Sequence, residues 1–293
     1  MKRLGRVGLI VSLTCGALLS IVQGHQELDG RIAELTAQIE RQPEDAGLYL
    51  ERGELHRVHG EWKSAFADYQ RASELDDELL LVKFYVGRMK LEAGDPAEAL
   101  APLDQYLEAV PGNAEALTWR GLARARLGEH LEAAADFSAA LENPPAGRRP
   151  PPHLYLERAR ALVAAGEGHF EEALHGLEQG LERLGQPVTL ELEALDLEES
   201  LGRIEAAAGR LDRLARETRR PEPWLVRKAA LFERAGRQKE ARDTYLAARR
   251  GLAALPDHQR SRGGLARLGE EVEAALARLP AAPDIQDPEV TGG

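Results

Sequence analysis

Histidines and carboxylates are the side chains here whose type and spacing could do chemistry. His56 and His59 lie three apart with Glu54 nearby, a spacing that on a helix can bring two imidazoles to one metal ion. Both come just before Gly60, at a turn where polar residues are ordinarily solvated, so no metal site is expected. His169 and His175 are six apart and face different ways on a helix. His130 stands two after Gly128, where Trp62 and Phe170 occupy the matching places after Gly60 and Gly168, so it reads as a partly buried packing residue. There is no Gly-Lys-Ser/Thr phosphate loop, no strand-Gly-rich loop-helix unit and no His-Glu-x-x-His helix. Carboxylates are abundant, but helices of this composition pair them by chance, and none stands out as an acid or base. The expectation is a protein with no catalytic residue, no metal and no cofactor, whose chemistry is recognition.

The composition agrees. With 293 residues, 43% hydrophobic and 30% charged, the chain is one or two ordinary domains and too polar for a multi-span membrane protein. One cysteine rules out a disulfide framework or a multi-thiolate metal site within the chain. A net charge of −11 argues against nucleic acid as a partner, since phosphate backbones select basic surfaces. Residues 1–24 have a basic start (Lys2, Arg3, Arg6), an apolar run over 7–22 and a small-x-small end at Val22-Gln23-Gly24. That order predicts a secretory signal cleaved before His25, and hence a periplasmic or extracellular protein. The alternative is that 7–22 is kept as a membrane tether, near the lower length limit for a span.

A repeat must position everything else. Gly60, Gly94 and Gly128 are 34 apart, and Gly168, Gly202 and Gly236 keep the interval in a second register. Five residues after each comes alanine (Ala65, Ala99, Ala133, Ala173, Ala207, Ala241), and nine after comes a larger side chain (Tyr69, Leu103, Phe137, Leu177, Leu211, Tyr245). A further glycine precedes the first three turns by seven: Gly53, Gly87 and Gly121. This is the signature of an αα-hairpin. Glycine ends the first helix in the left-handed conformation, small residues let the two helices approach, and the larger one wedges against the next hairpin. One hairpin buries too little apolar surface to stand alone, so stability must come from stacking.

The pattern, read in the first repeat as Tyr49-Leu50-Glu51-Arg52-Gly53, Gly60-Glu61-Trp62, Ala65, Tyr69 and Ala72, resembles the tetratricopeptide repeat family. It covers six repeats: 46–79, 80–113, 114–147, 154–187, 188–221 and 222–255. The resemblance implies an all-α, right-handed α-solenoid of stacked antiparallel hairpins, with a concave groove lined by the first helix of each. Repeats five and six depart most, with Leu195 where the family prefers a small residue and Arg219 where it prefers proline. A helix within 25–45, with Ile32, Leu35 and Ile39 on one face, should cap the start, and one within 256–280 (Leu265, Leu268, Val272, Ala275, Leu276, Leu279) should cap the end. Between the registers, residues 148–153 insert Arg-Arg-Pro-Pro-Pro-His, read as a proline-rich linker that serves as a passive loop or, more sharply, as a docking site. The tail, 281–293, is rich in Pro, Asp and Gly and is expected to be disordered.

Projecting the first helices puts Leu50, Glu54 and Arg57, then Phe84, Tyr85 and Arg88, then Thr118, Trp119, Leu122 and Arg126 beside the groove. Aromatic and Arg side chains dominate interface energetics, which makes Glu54, Arg57, Phe84, Tyr85, Arg88, Trp119 and Arg126 the candidate partner contacts. The Lys-Asn clamp with which some family members bind a peptide carboxylate is missing: Leu50 and Glu54 stand there. Residues 203–262 carry 16 basic and 8 acidic side chains, against 17 and 35 in 25–202, so Arg210, Arg213, Arg216 and Arg220, with Arg219, form a candidate basic patch for an acidic partner or an anionic membrane. The sequence thus reads as an exported, non-enzymatic scaffold that binds an unidentified protein or peptide, alternatively as a membrane-anchored assembly factor of an envelope complex, and last as a cell-wall glycan-binding or enzymatic protein, for which no spacing of carboxylates or aromatics speaks.

Overall fold

The computed structural model describes residues 27–260 and 263–280, and every regular element among them is helical. The expected signal or anchor at 1–24 and the tail at 281–293 lie outside these residues, and no described helix is long and apolar enough to cross a membrane. The chain divides into two compact units at Ala165–Gly166.

The first unit runs α1 (27–41), α2 (Ala46–Val58), α3 (Trp62–Leu75), α4 (Leu81–Glu92), α5 (Pro96–Ala109), α6 (Ala114–Leu127), α7 (His130–Glu142) and α8 (Pro152–Ala165). The hairpins α2–α3, α4–α5 and α6–α7 match the first three repeats. Gly60, Gly94 and Gly128 hold φ of 78°, 97° and 83°, the left-handed region that only glycine adopts without cost. Inside each hairpin a glycine faces the large residue sixteen further on. A Cβ on Gly53 would lie 2.6 Å from the Tyr69 ring, one on Gly87 2.5 Å from Leu103 Cγ, and one on Gly121 2.9 Å from the Phe137 ring. Tyr69, Leu103 and Phe137 are fully buried as a result. Leu35 and Ile39 of α1 are buried, as a capping helix requires. Helix α8 opens at Pro152 and packs on α7, so the last two residues of the inserted segment, Pro152 and His153, are helical and not linker.

The second unit holds a 3-10 turn (Glu167–His169), α9 (Phe170–Leu184), α10 (Val188–Ser200), α11 (Ile204–Glu217), α12 (Glu222–Arg234), α13 (Gln238–Ala253), α14 (Asp257–Arg260) and α15 (Gly263–Arg278). Gly202 and Gly236 take φ of 68° and 73°, as expected. Gly168 does not: the left-handed residue is Gly166, and Gly168 sits within the 3-10 turn, where the short Glu-Gly-His segment tightens the entry to α9. Leu195, where the family prefers a small residue, is fully buried in one core with Ala207, Leu211, Ala229, Ala241 and Tyr245. Val272, Ala275 and Leu276 of α15 complete that core and cover its end.

Charged side chains recur with the same period. Arg52 forms a two-pronged pair with Asp68 at 2.8 and 2.6 Å. Arg120, two repeats on, pairs with Asp136 and reaches back to Asp104 at 2.7 Å. At the equivalent places in the second repeat stand Val86 and Pro102, so both charges are missing together. Asp136 also accepts from Arg124 at 2.8 Å, twelve residues earlier. In the second unit the same twelve-residue spacing joins Glu198 to Arg210 at 2.9 and 2.6 Å, with the signs exchanged.

The last helix is tied down by a clasp that titrates at both ends. Arg278 donates to Glu233 at 2.7 and 3.0 Å, and the Tyr245 hydroxyl donates to the same carboxylate at 3.1 Å. The Arg278 hydrogen bond holds Glu233 below the usual carboxylate range. Burial, with the Glu233 charge, pushes Tyr245 up to about 12. A depressed carboxylate contributes stability above its ordinary pKa that is lost as pH falls through the folded value. A raised phenol contributes stability below about pH 10 that is lost as pH rises through 12. Thermal melts of the second unit should therefore drop at both extremes, with Glu233→Gln flattening the acid side and Tyr245→Phe the alkaline side. Parent-like pH profiles for both variants would show that the clasp contributes nothing.

Candidate partner-binding face

In the first unit the first helices touch one another in order, α2 to α4, α4 to α6 and α6 to α8, so their exposed sides make one continuous face. The i, i+3/i+4 geometry of each helix then decides which side chains reach it.

The centre of this face is a charged and aromatic network. Arg57, only 7% exposed, donates to Glu54 at 2.9 Å and to Glu92 of the next hairpin at 2.5 Å. Burial opposes its charge, yet those two carboxylates hold its pKa above the ordinary guanidinium value. The Tyr69 hydroxyl donates to Glu54 from behind, and burial together with that bond raises the phenol far above its usual value. Tyr85 stacks on Tyr69 with ring centres 6.1 Å apart, and burial, then the charges of Glu54 and Glu115, raise its pKa too. Arg88 lies 5.2 Å over the Trp119 ring, within 3.4 Å of Glu92, 3.9 Å of Glu54 and 3.8 Å of Glu115. Cation–π and ion-pair contacts together fix its guanidinium in place.

Glu54, Tyr85, Arg88 and Trp119 are thus brought together, while Arg57 is buried beneath them and holds Glu54 and Glu92 instead of presenting a contact. Phe84 is 5% exposed and packs between Tyr85 and Tyr106, so it supports the face from the core and does not present a contact. Arg126 donates to the Leu91 carbonyl at 2.7 Å, one repeat back, and caps the end of α4. Sequence projection missed Glu92 and Glu115. The signal for Glu92 was the thirty-five-residue interval, one repeat plus one, that separates Arg57 from Glu92 and Leu91 from Arg126.

Beyond Trp119 the face becomes apolar. A cavity of ≈ 620 Å³ opens between α6, the 144–151 segment and α8, lined by Trp119, Leu122, Leu154 and the prolines.

The histidines by Gly60 are less solvated than their position suggested. His56 and His59 side chains are 14% and 16% exposed, and both point Nδ1 at Glu61, at 2.5 and 3.2 Å. Among the described residues no group of three or more His, Cys, Asp or Glu could hold a metal ion.

In the second unit the arginines separate. Arg210 is 4% exposed, enclosed by Glu198 and Glu191, and so lies inside the unit and not on a basic surface. Arg213 is half exposed, 3.6 Å from Glu191, and Arg220 donates to Gln259 at 2.6 Å. Arg216 and Arg219 are exposed.

Residues 87–148 match the family model described as tetratricopeptide repeat. No curated protein matches the sequence. Similar solved structures include a tetratricopeptide repeat protein from Parabacteroides merdae, with a TM-score of 0.51, 17% identity and coverage of 85% of this chain and 94% of that one. PilW, a type IV pilus biogenesis factor, superposes with a TM-score of 0.53 at 19% identity over 71% of this chain and 93% of its own. For pilF of Pseudomonas aeruginosa the values are 0.50, 15%, 78% and 96%. At these identities the likeness is one of fold.

Proposed function

We propose that this chain, which carries tetratricopeptide repeats, is an exported scaffold without catalytic activity that holds a protein or peptide partner against the first-helix face of its first unit. The observation that carries the reading is the alignment of α2, α4, α6 and α8, which sets Tyr85, Arg88 and Trp119 on one surface with the Arg88 charge already placed by Glu54, Glu92 and Glu115. Side chains fixed before binding lose little freedom on binding, so a partner gains more per contact. Export rests on the basic-apolar-small order of residues 1–24.

Affinity capture from envelope extracts tests the binding, with the parent beside a Tyr85→Ala, Arg88→Gln variant of unchanged helicity. A partner retained by the parent should be depleted about tenfold on the variant, as hot-spot loss predicts. Equal retention would place binding elsewhere. Mass measurement of the mature N-terminus tests export: loss of 24 residues marks a released protein, whereas an intact terminus in the membrane fraction marks the tethered assembly factor.

A further inference from the structure

The inserted segment has built something the repeat alone does not contain. Opposite α6, the ≈ 620 Å³ cavity is walled by Pro144 and Pro145 at the end of the third repeat, by residues 148–151 of the insertion and by the start of α8. Its size suits one large side chain with its flanking backbone. The near wall is Trp119 and Leu122, both on α6. The opposite wall is largely Pro144, Pro145, Pro150 and Pro151, whose rings fix the backbone and so lose little entropy when the cavity fills.

The charges at the rim are unequal in their compensation. Glu115 lies 3.8 Å from Arg88, and Glu157 accepts from Arg160 at 3.2 Å. Arg148 lines the cavity, is exposed, and makes no ion pair among the described residues. Arg148 therefore stands at this mouth as a cation open to a partner carboxylate, in a chain whose net charge is −11.

We infer that this cavity is an anchor site for an extended partner segment in which one bulky apolar side chain, aromatic or leucine-like, packs against Trp119 and Leu122 while an adjacent carboxylate pairs with Arg148. The inference rests on the partner-binding reading of the first-helix face and names the chemistry that face selects.

A phage-displayed random dodecapeptide library panned on the full chain tests it. Enriched peptides should share a bulky apolar residue with Asp or Glu within two positions. As synthetic peptides they should bind Leu122→Asn about tenfold more weakly. Panning on Arg148→Glu should keep the apolar residue and replace the acid by Lys or Arg. Arg148 is a surface side chain, so that variant keeps the test decisive even if Leu122→Asn fails to fold. Peptides unaffected by both substitutions but lost on Tyr85→Ala, Arg88→Gln would overturn the anchor and leave the binding face standing. Absence of any enrichment would overturn both.

Discussion

Replacing Arg210 by alanine is expected to destabilise the second unit by about 3–5 kcal/mol, because it strands the buried Glu198 and leaves the buried Glu191 only the half-exposed Arg213 at 3.6 Å. Glu191 and Glu198 are 5% and 3% exposed, and both direct their oxygens at this one guanidinium. Burial opposes the Arg210 charge, but the hydrogen bonds to Glu198 and Glu191 outweigh it and hold the pKa above the ordinary value. The cost of the single substitution is thus the cost of uncompensated charge, not the worth of the triad. Replacing all three residues together, Arg210→Met with Glu191→Leu and Glu198→Leu, should be close to neutral. Urea unfolding followed by circular dichroism separates the two cases. A single variant that loses under about 1 kcal/mol would mean water reaches the carboxylates and the triad is not buried in solution.

Phe137→Ala is expected to cost the first unit about 3–5 kcal/mol, the range for emptying a core aromatic site. Phe137 is fully buried, and its ring lies 2.9 Å from where a Cβ on Gly121 would sit. Gly121→Ala alone should cost about 1–3 kcal/mol by overpacking. The double variant should cost clearly less than the sum, since the added methyl enters the space that the ring vacates. Additive losses would show that the two sites relax independently and that the close approach does not set the spacing of α6 and α7.

The hairpins were legible because their determinants are short-range and repeat: a left-handed glycine, an alanine five on and a wedge nine on recur together. The fourth turn misled because Gly168 keeps the interval while Gly166 takes the positive φ, and two glycines so close leave the register open. Arg210 was read with its exposed neighbours because a helix of arginines looks solvated until the partners are known. Glu191 and Glu198 lie 19 and 12 residues away on α10, and only the pairing of α10 with α11 brings them in. The cavity beside Trp119 was illegible for a different reason: composition shows that prolines cannot continue a helix, but not how much space they leave against the helices on either side.

The exchanged charges have a consequence for order. A chain spliced so that α6 led into α11 would set Arg124 against Arg210, and one in which α10 led into α7 would set Glu198 against Asp136. Either join preserves every glycine, alanine and wedge of the thirty-four-residue pattern and still sets like charges against each other at the twelve-residue contact, one of them buried in the first join and both in the second. Hairpins that look interchangeable by their consensus are therefore not so. The oppositely signed pairs of α6–α7 and α10–α11 act as a key that admits one successor and rejects the other, and recombination between these two hairpins would have to move α10 and α11 together.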